Sequence, residues 1–181
     1  RWQEIGGEYF DEHADVGMGA DARGPALLII ERSPGQWRVR QILDASASVP
    51  IGLYRLRPAD QFQVTELVAV QPPEPLATFL DLNGYLPIGV PMLKRVLALP
   101  GQSVCRTGLT ISVDEVAVGE AKDRDGRGRP LPKWQGCRVV GDGDLFLMNW
   151  QSDDSLDGRY FGFLPASSVI GRAMPVWTWE G

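Results

Sequence analysis

The apolar positions of this chain fall in short bursts divided by turn residues. Ordered structure is expected from Ala26, with residues 27–30 apolar and Trp37-Arg38-Val39-Arg40-Gln41-Ile42 alternating, on either side of Ser33-Pro34-Gly35. Such runs flanking a Pro-Gly turn predict a β-hairpin. Further strands are predicted over 51–56, 63–70, 93–99, 109–113, 116–118, 137–140, 145–149 and 169–174. One stretch has the other period. Pro75-Leu76-Ala77-Thr78-Phe79-Leu80-Asp81-Leu82 carries apolar residues at helical spacing, and Asn83-Gly84 follows where a helix C-terminus belongs. Many short strands and one short helix predict a mostly β domain, a barrel or folded sheet.

Residues 1–25 are Gly-rich and acidic without sustained periodicity, which reads as a loose leader before a domain over 26–181. Residues 119–136 mix Lys122, Arg124, Arg127, Arg129 and Lys133 with Asp123 and Asp125, as suits a protruding polar flap rather than core. The chain has 181 residues, 44% of them apolar, enough for a core, while 21 Gly and 14 Pro leave little room for long helices. A net charge of −5 offers no general attraction to phosphate backbones, so a nucleic-acid partner is not expected. No apolar run approaches the roughly 18 to 20 residues that span a bilayer. The chain begins at Arg1 rather than Met, and any membrane anchor is expected to lie outside it.

Composition also narrows the chemistry. The single histidine, His13, lies in an acidic stretch and reads as a solvated surface residue, so a catalytic base would be Lys, Asp or Glu. Cys105 and Cys137, with one distant His, make no four-ligand zinc site; they are a disulfide or two free thiols. No metal and no cofactor is implied.

Three segments carry candidate chemistry. In Asp44-Ala45-Ser46-Ala47-Ser48-Val49-Pro50-Ile51-Gly52-Leu53-Tyr54, small residues leave a hydroxyl accessible, and Pro50 and Gly52 fix a bend that can hold Ser48 at a cleft edge. In Pro91-Met92-Leu93-Lys94-Arg95-Val96, a strand puts Lys94 on one face with Met92 and Val96, an apolar setting that disfavours the ammonium. A neutral lysine can take the proton of a serine hydroxyl, which is a weak nucleophile by itself. In Asp154-Ser155-Leu156-Asp157-Gly158-Arg159-Tyr160-Phe161-Gly162, Asp157 and Arg159 are close enough to pair, and Ser155 is available to an amine. Each segment alone also reads as a turn, a strand lysine reaching solvent, or a paired structural loop.

Together and in this order, the segments resemble the Ser-Lys signal peptidase I superfamily, most closely its TraF-type branch of conjugal-transfer peptidases, over residues 44–179. The resemblance implies a signal peptidase-like fold of the LexA type with a flap, Ser48 as nucleophile and Lys94 as base. Ser46 would supplement the Ser48 backbone N–H in the oxyanion hole, Ser155 would orient the lysine amine, and Asp157 would hold the loop through Arg159. It also implies a Cys105–Cys137 disulfide flanking the flap, a pilin-like secreted precursor as substrate, and a place at the periplasmic face of a bacterial inner membrane. Two departures stand out. Residues 26–43 look soluble where relatives usually have a membrane span. Asp44 stands where relatives often carry Asn, adding a carboxylate that either tunes the site or faces water.

Two other readings use the same residues. A LexA-like self-cleaving regulator would need an Ala-Gly or Cys-Gly cut site and a helix-turn-helix, and neither dipeptide occurs. A noncatalytic β-rich module of a secretion or conjugation apparatus would make Ser48 and Lys94 structural. At the C-terminus, Trp177 and Trp179 share one side of a strand and either meet a membrane surface or pack under the barrel.

Overall fold

The computed structural model describes residues 26–33, 36–44 and 48–179. The leader over 1–25 with His13, the turn residues Pro34 and Gly35, and Ser46 lie outside the described residues. The first strands are β1 (Ala26–Ser33), β2 (Gln36–Asp44), β3 (Ile51–Arg57), β4 (Leu67–Val70) and β5 (Met92–Ala98), with helix α1 (Leu76–Leu82) between the last two. Then come β6 (Ser103–Thr107), β7 (Thr110–Val113), β8 (Val116–Glu120), β9 (Gly136–Val139) and β10 (Asp144–Leu147). The short helix α2 (Gly158–Phe161), β11 (Phe163–Pro165) and β12 (Val169–Trp179) complete the domain.

The strands form two sheets, in the orders β1-β2-β3-β12-β4-β5-β10-β11 and β8-β7-β6-β9. The expected hairpin is β1 and β2, antiparallel from Ala26↔Asp44 to Ser33↔Gln36. In β3 the alternation holds, with Tyr54 and Leu56 buried and Arg55 and Arg57 exposed. The strand expected over 63–70 begins only at Leu67. Thr65 has φ +77, which is not strand geometry, although its N–H still donates across to the Val96 carbonyl of β5.

β4 is buried on both faces, and its alternation sorts the core. Val68 and Val70 pack with Leu76 and Leu80 of α1 and with Met92 and Val96 of β5. Leu67 and Ala69 pack with Ile42, Tyr54, Leu56 and Leu93. Lys94 lies between Met92 and Val96 on the α1 side of β5, opposite Val68. α1 ends as its sequence requires: Gly84 has φ +64, and Asn83 Nδ2 donates to the Phe79 carbonyl at 2.8 Å.

β6 was not among the expected strands. Its inward positions are Val104 and Arg106, and a fully buried arginine breaks the apolar alternation that marks a strand. Cys105 pairs in register with Cys137 of β9, and the two are joined by a disulfide. The 119–136 stretch departs from a purely polar protrusion. Ala121 and Leu131 are buried against Tyr160, and Trp134 Nε1 donates to the Gly158 carbonyl at 3.0 Å, so the flap base is seated on α2. The two apolar residues anchor it, and its charges lie around them.

Trp177 and Trp179 are 55% and 63% exposed, so they do not pack under the barrel. Their rings contact each other edge to face at 6.3 Å. No described helix is long and apolar enough to cross a membrane.

Candidate active site

Ser48 and Lys94, 46 positions apart in sequence, line one cleft of about 230 Å³. Asp44 and Ser155 reach the same cleft, and Leu80, Leu86, Met92 and Leu156 supply apolar wall. Such a mix, mostly apolar with a few convergent polar groups, is the usual make-up of a binding site.

Ser48 is half-buried, in the turn between β2 and β3. The Tyr54 hydroxyl donates to the Pro50 carbonyl and ties that turn to β3. Gly52 is required by a neighbour rather than by a bend. β12 runs so close that a Cβ there would lie 2.2 Å from the Trp177 carbonyl oxygen.

Lys94 is 6% exposed, and its Nζ donates to Ser155 Oγ at 2.8 Å. Burial pushes its pKa below the usual lysine value; Asp157 and then Asp44 oppose this, and Arg159 adds to the lowering. The expected apolar setting and the Ser155 contact are therefore both present.

The wall behind Lys94 is densely bonded. Asp157 caps α2, accepting from the Arg159 backbone N–H, and pairs with the Arg159 guanidinium at 2.9 Å with both side chains buried. Arg159 also donates to the carbonyls of Ser152 at 2.6 Å and Ser155 at 3.2 Å, fixing the loop that presents the Ser155 hydroxyl. Burial alone would lower the Arg159 pKa, but the hydrogen bond and charge of Asp157 outweigh it and raise it. Arg106 of β6 donates to the Arg159 carbonyl at 2.6 Å, joining the second sheet to this wall. Gly158 permits the close approach of α2 to β10, since a Cβ there would lie 2.6 Å from the Phe146 ring and 2.8 Å from the Leu147 carbonyl oxygen.

Sequence reasoning named no role for Asn149. Its side chain accepts from the Arg95 N–H at 2.9 Å and donates to the Leu93 carbonyl at 3.0 Å, so one amide grips the backbone on both sides of Lys94. Its own N–H donates to Asp157 Oδ2 at 3.1 Å. The available signal was a lone amide closing the apolar run Leu145-Phe146-Leu147-Met148.

The structure thus brings Ser48, Lys94, Ser155, Asp157 and Arg159 to one cleft and its supporting wall, while Cys105 and Cys137 lie away in the second sheet. Among the described residues, no group of three or more His, Cys, Asp or Glu is placed to hold a metal. A half-buried hydroxyl and a desolvated amine lining one cleft suit nucleophilic chemistry with lysine as base. The fold belongs to a known class. The profile of the signal peptidase family, peptidase S26, matches residues 26–179, and the chain belongs to that family. A second profile, a domain of unknown function, matches residues 1–49.

Within the family the chain is similar to the conjugal transfer protein TraF of Agrobacterium fabrum, 36% identical over 76% of this chain and 82% of that protein. It is also similar to a probable conjugal transfer protein TraF of Sinorhizobium fredii, 33% identical over 76% of this chain and 77% of that one. A solved signal peptidase I of Enterococcus faecalis aligns with 62% of this chain and 97% of its own at 20% identity, with a TM-score of 0.38.

Proposed function

We propose that this domain is a serine endopeptidase of the Ser-Lys type that processes a secreted precursor of a conjugation system. The observation that carries the reading is the cleft shared by Ser48 and a buried Lys94 held by Ser155. Ser48 Oγ attacks the scissile carbonyl while Lys94 Nζ takes its proton, and the same proton passes to the leaving amine as the peptide bond breaks. Water, or an internal amine of the product, then releases the acyl group. Ser46 and the Ser48 N–H stabilise the oxyanion, a role that comes to Ser46 from the family resemblance. The substrate lies extended with its backbone on a strand edge, and small side chains fill the shallow apolar wall. The relatives named as conjugal transfer proteins support a transfer-system substrate, and the family resemblance suggests a pilin-like precursor.

The enzyme works at the periplasmic face of the inner membrane. Ile51, Met174, Val176, Trp177 and Trp179 are exposed apolar residues on β3 and β12. In register, Trp179 faces Ile51 and Thr178 faces Gly52, at the end of the sheet where the Ser48 turn lies. Aromatic side chains in such a patch favour the headgroup region of a bilayer.

The test is incubation with candidate precursors and mass analysis of the products, in which cyclisation retains one water fewer than hydrolysis. Ser48→Ala should abolish cleavage without loss of fold, and Ser46→Ala should slow it by about 10- to 1000-fold. An active Ser48→Ala protein would mean that Ser48 is not the nucleophile, and a wild-type protein that cleaves no precursor would return the domain to a noncatalytic role in the transfer apparatus.

A further inference from the structure

Asp44 is the buried charge that the scheme above leaves unused. It is the last residue of β2, paired with Gly52, and lies two positions beyond the core residue Ile42 on the inward face. It is 5% exposed and lines the cleft with Ser48 and Lys94. Removing a carboxylate from water costs several kcal/mol unless opposite charge and hydrogen bonds compensate. Of the other charges buried among the described residues, Asp157 is matched by Arg159, and Arg106 donates to the carbonyls of Arg159 and Gly108. Lys94 is a buried cation of the same cleft that Asp44 lines.

We propose that Asp44 is a positioning residue for proton transfer, its carboxylate stabilising the ammonium that Lys94 becomes on taking the Ser48 proton. The proposal rests on the Ser48–Lys94 reading above. The proton leaves Ser48 Oγ as the bond from Oγ to the carbonyl carbon forms, and leaves Nζ for the departing nitrogen as the C–N bond breaks. Between these events the positive charge on Nζ needs a counter-charge within the cleft. Asp157 and Arg159 act on the Lys94 charge from the α2 side with opposing effects, and Asp44, which lines the same cleft at the end of β2, favours its protonated form. Asp44 also acts on Tyr54 of β3, whose pKa is raised by burial and then by this carboxylate, with Arg95 of β5 opposing. Asp44 thus supplies negative charge from the strand end that leads into the Ser48 turn.

The test is Asp44→Asn. With the negative charge gone, Lys94 loses its proton more readily, so the ascending limb of the pH–rate profile should move down by about one pH unit. The plateau rate should fall by about three- to tenfold, because the amine is a weaker base and its ammonium is less stabilised. Asp44→Glu should restore the limb, and the exposed carboxylate variant Asp142→Asn should leave it in place.

The titration can also be read without turnover. Lys94, Lys122 and Lys133 are the only lysines in the chain, so NMR of ε-carbon-labelled lysine, assigned with Lys122→Arg and Lys133→Arg, follows the Lys94 amine directly. A downward move in folded Asp44→Asn supports the proposal even if no precursor is cleaved, an outcome that would count against the peptidase reading alone. An unmoved Lys94 titration overturns the proposal. Should Asp44→Asn fail to fold, the labelled Asp44 carboxyl of the wild-type protein decides. Ionisation throughout the range where Lys94 gains its proton supports the proposal, and a protonated carboxyl in that range overturns it.

Discussion

The two walls of the cleft are built differently. Behind Lys94, the Asn149 amide holds the strand on both sides of the lysine, Asp157 holds Asn149 and Arg159, and Arg159 holds the loop carrying Ser155. On the other side Ser48 rides on a turn tied to β3 by the Tyr54 hydroxyl, with Asp44 at its root. A base must keep a costly desolvated position, and redundant buried bonds maintain it. A nucleophile must reach a substrate carbonyl, and a turn at the rim offers the access that a core strand does not. Substitutions in the lysine wall should therefore lower stability and activity together, whereas those on the serine side should separate the two.

The largest effect on the fold is expected from Asp157→Ala. It leaves the Arg159 guanidinium buried without its carboxylate, which costs about 3 to 5 kcal/mol, and cleavage should disappear with the loosened Ser155 loop. Urea unfolding with a parallel activity assay checks both, and full stability in this variant would break the contrast. Asn149→Ala should cost less, about 1 to 3 kcal/mol for the unpaired groups it leaves, and should lower kcat more than it raises KM because it displaces the base rather than the substrate. A change confined to KM would place Asn149 in binding instead. The smallest effect on chemistry is expected on the serine side, from joint replacement of Trp177 and Trp179 by Ser. Vesicle binding should drop while cleavage of a soluble peptide is kept, and loss of both would give the tryptophans a structural role.

The legible parts of this domain were those where one period dominates. The β1–β2 hairpin, β3, β5 and the α1 helix with its Asn83-Gly84 end all follow from alternation or helical spacing and a stop signal. β6 was hidden because its inward positions include Arg106, whose burial depends on carbonyls far along the chain, such as that of Arg159. α2, at four residues, is too short to show a period and exists because Asp157 caps it and Gly158 lets it approach β10. At the cleft, hydroxyl, amine and carboxylate types were readable from the sequence. The grip of Asn149 and the burial of Asp44 were not, since both depend on which strands become neighbours. The flap base shows the same limit, with Ala121 and Leu131 outweighed by surrounding charge until Tyr160 lies beneath them.

The central claim is that neutral Lys94 is the base for Ser48, and the sign of its pH dependence follows from its setting. Burial lowers the lysine pKa, so the neutral amine is more populated at a given pH than in an exposed lysine, and activity should rise as pH climbs through that lowered value. The most direct measurement is peptide mapping by mass spectrometry of the acyl adduct formed on a precursor peptide across a pH series. The adduct should sit on Ser48 and form faster with rising pH in the wild-type protein, with the same profile in His13→Ala. In Lys94→Arg it should be absent at every pH, because a guanidinium stays protonated. An adduct on Ser48 forming at the wild-type rate in Lys94→Arg would contradict the Ser-Lys mechanism.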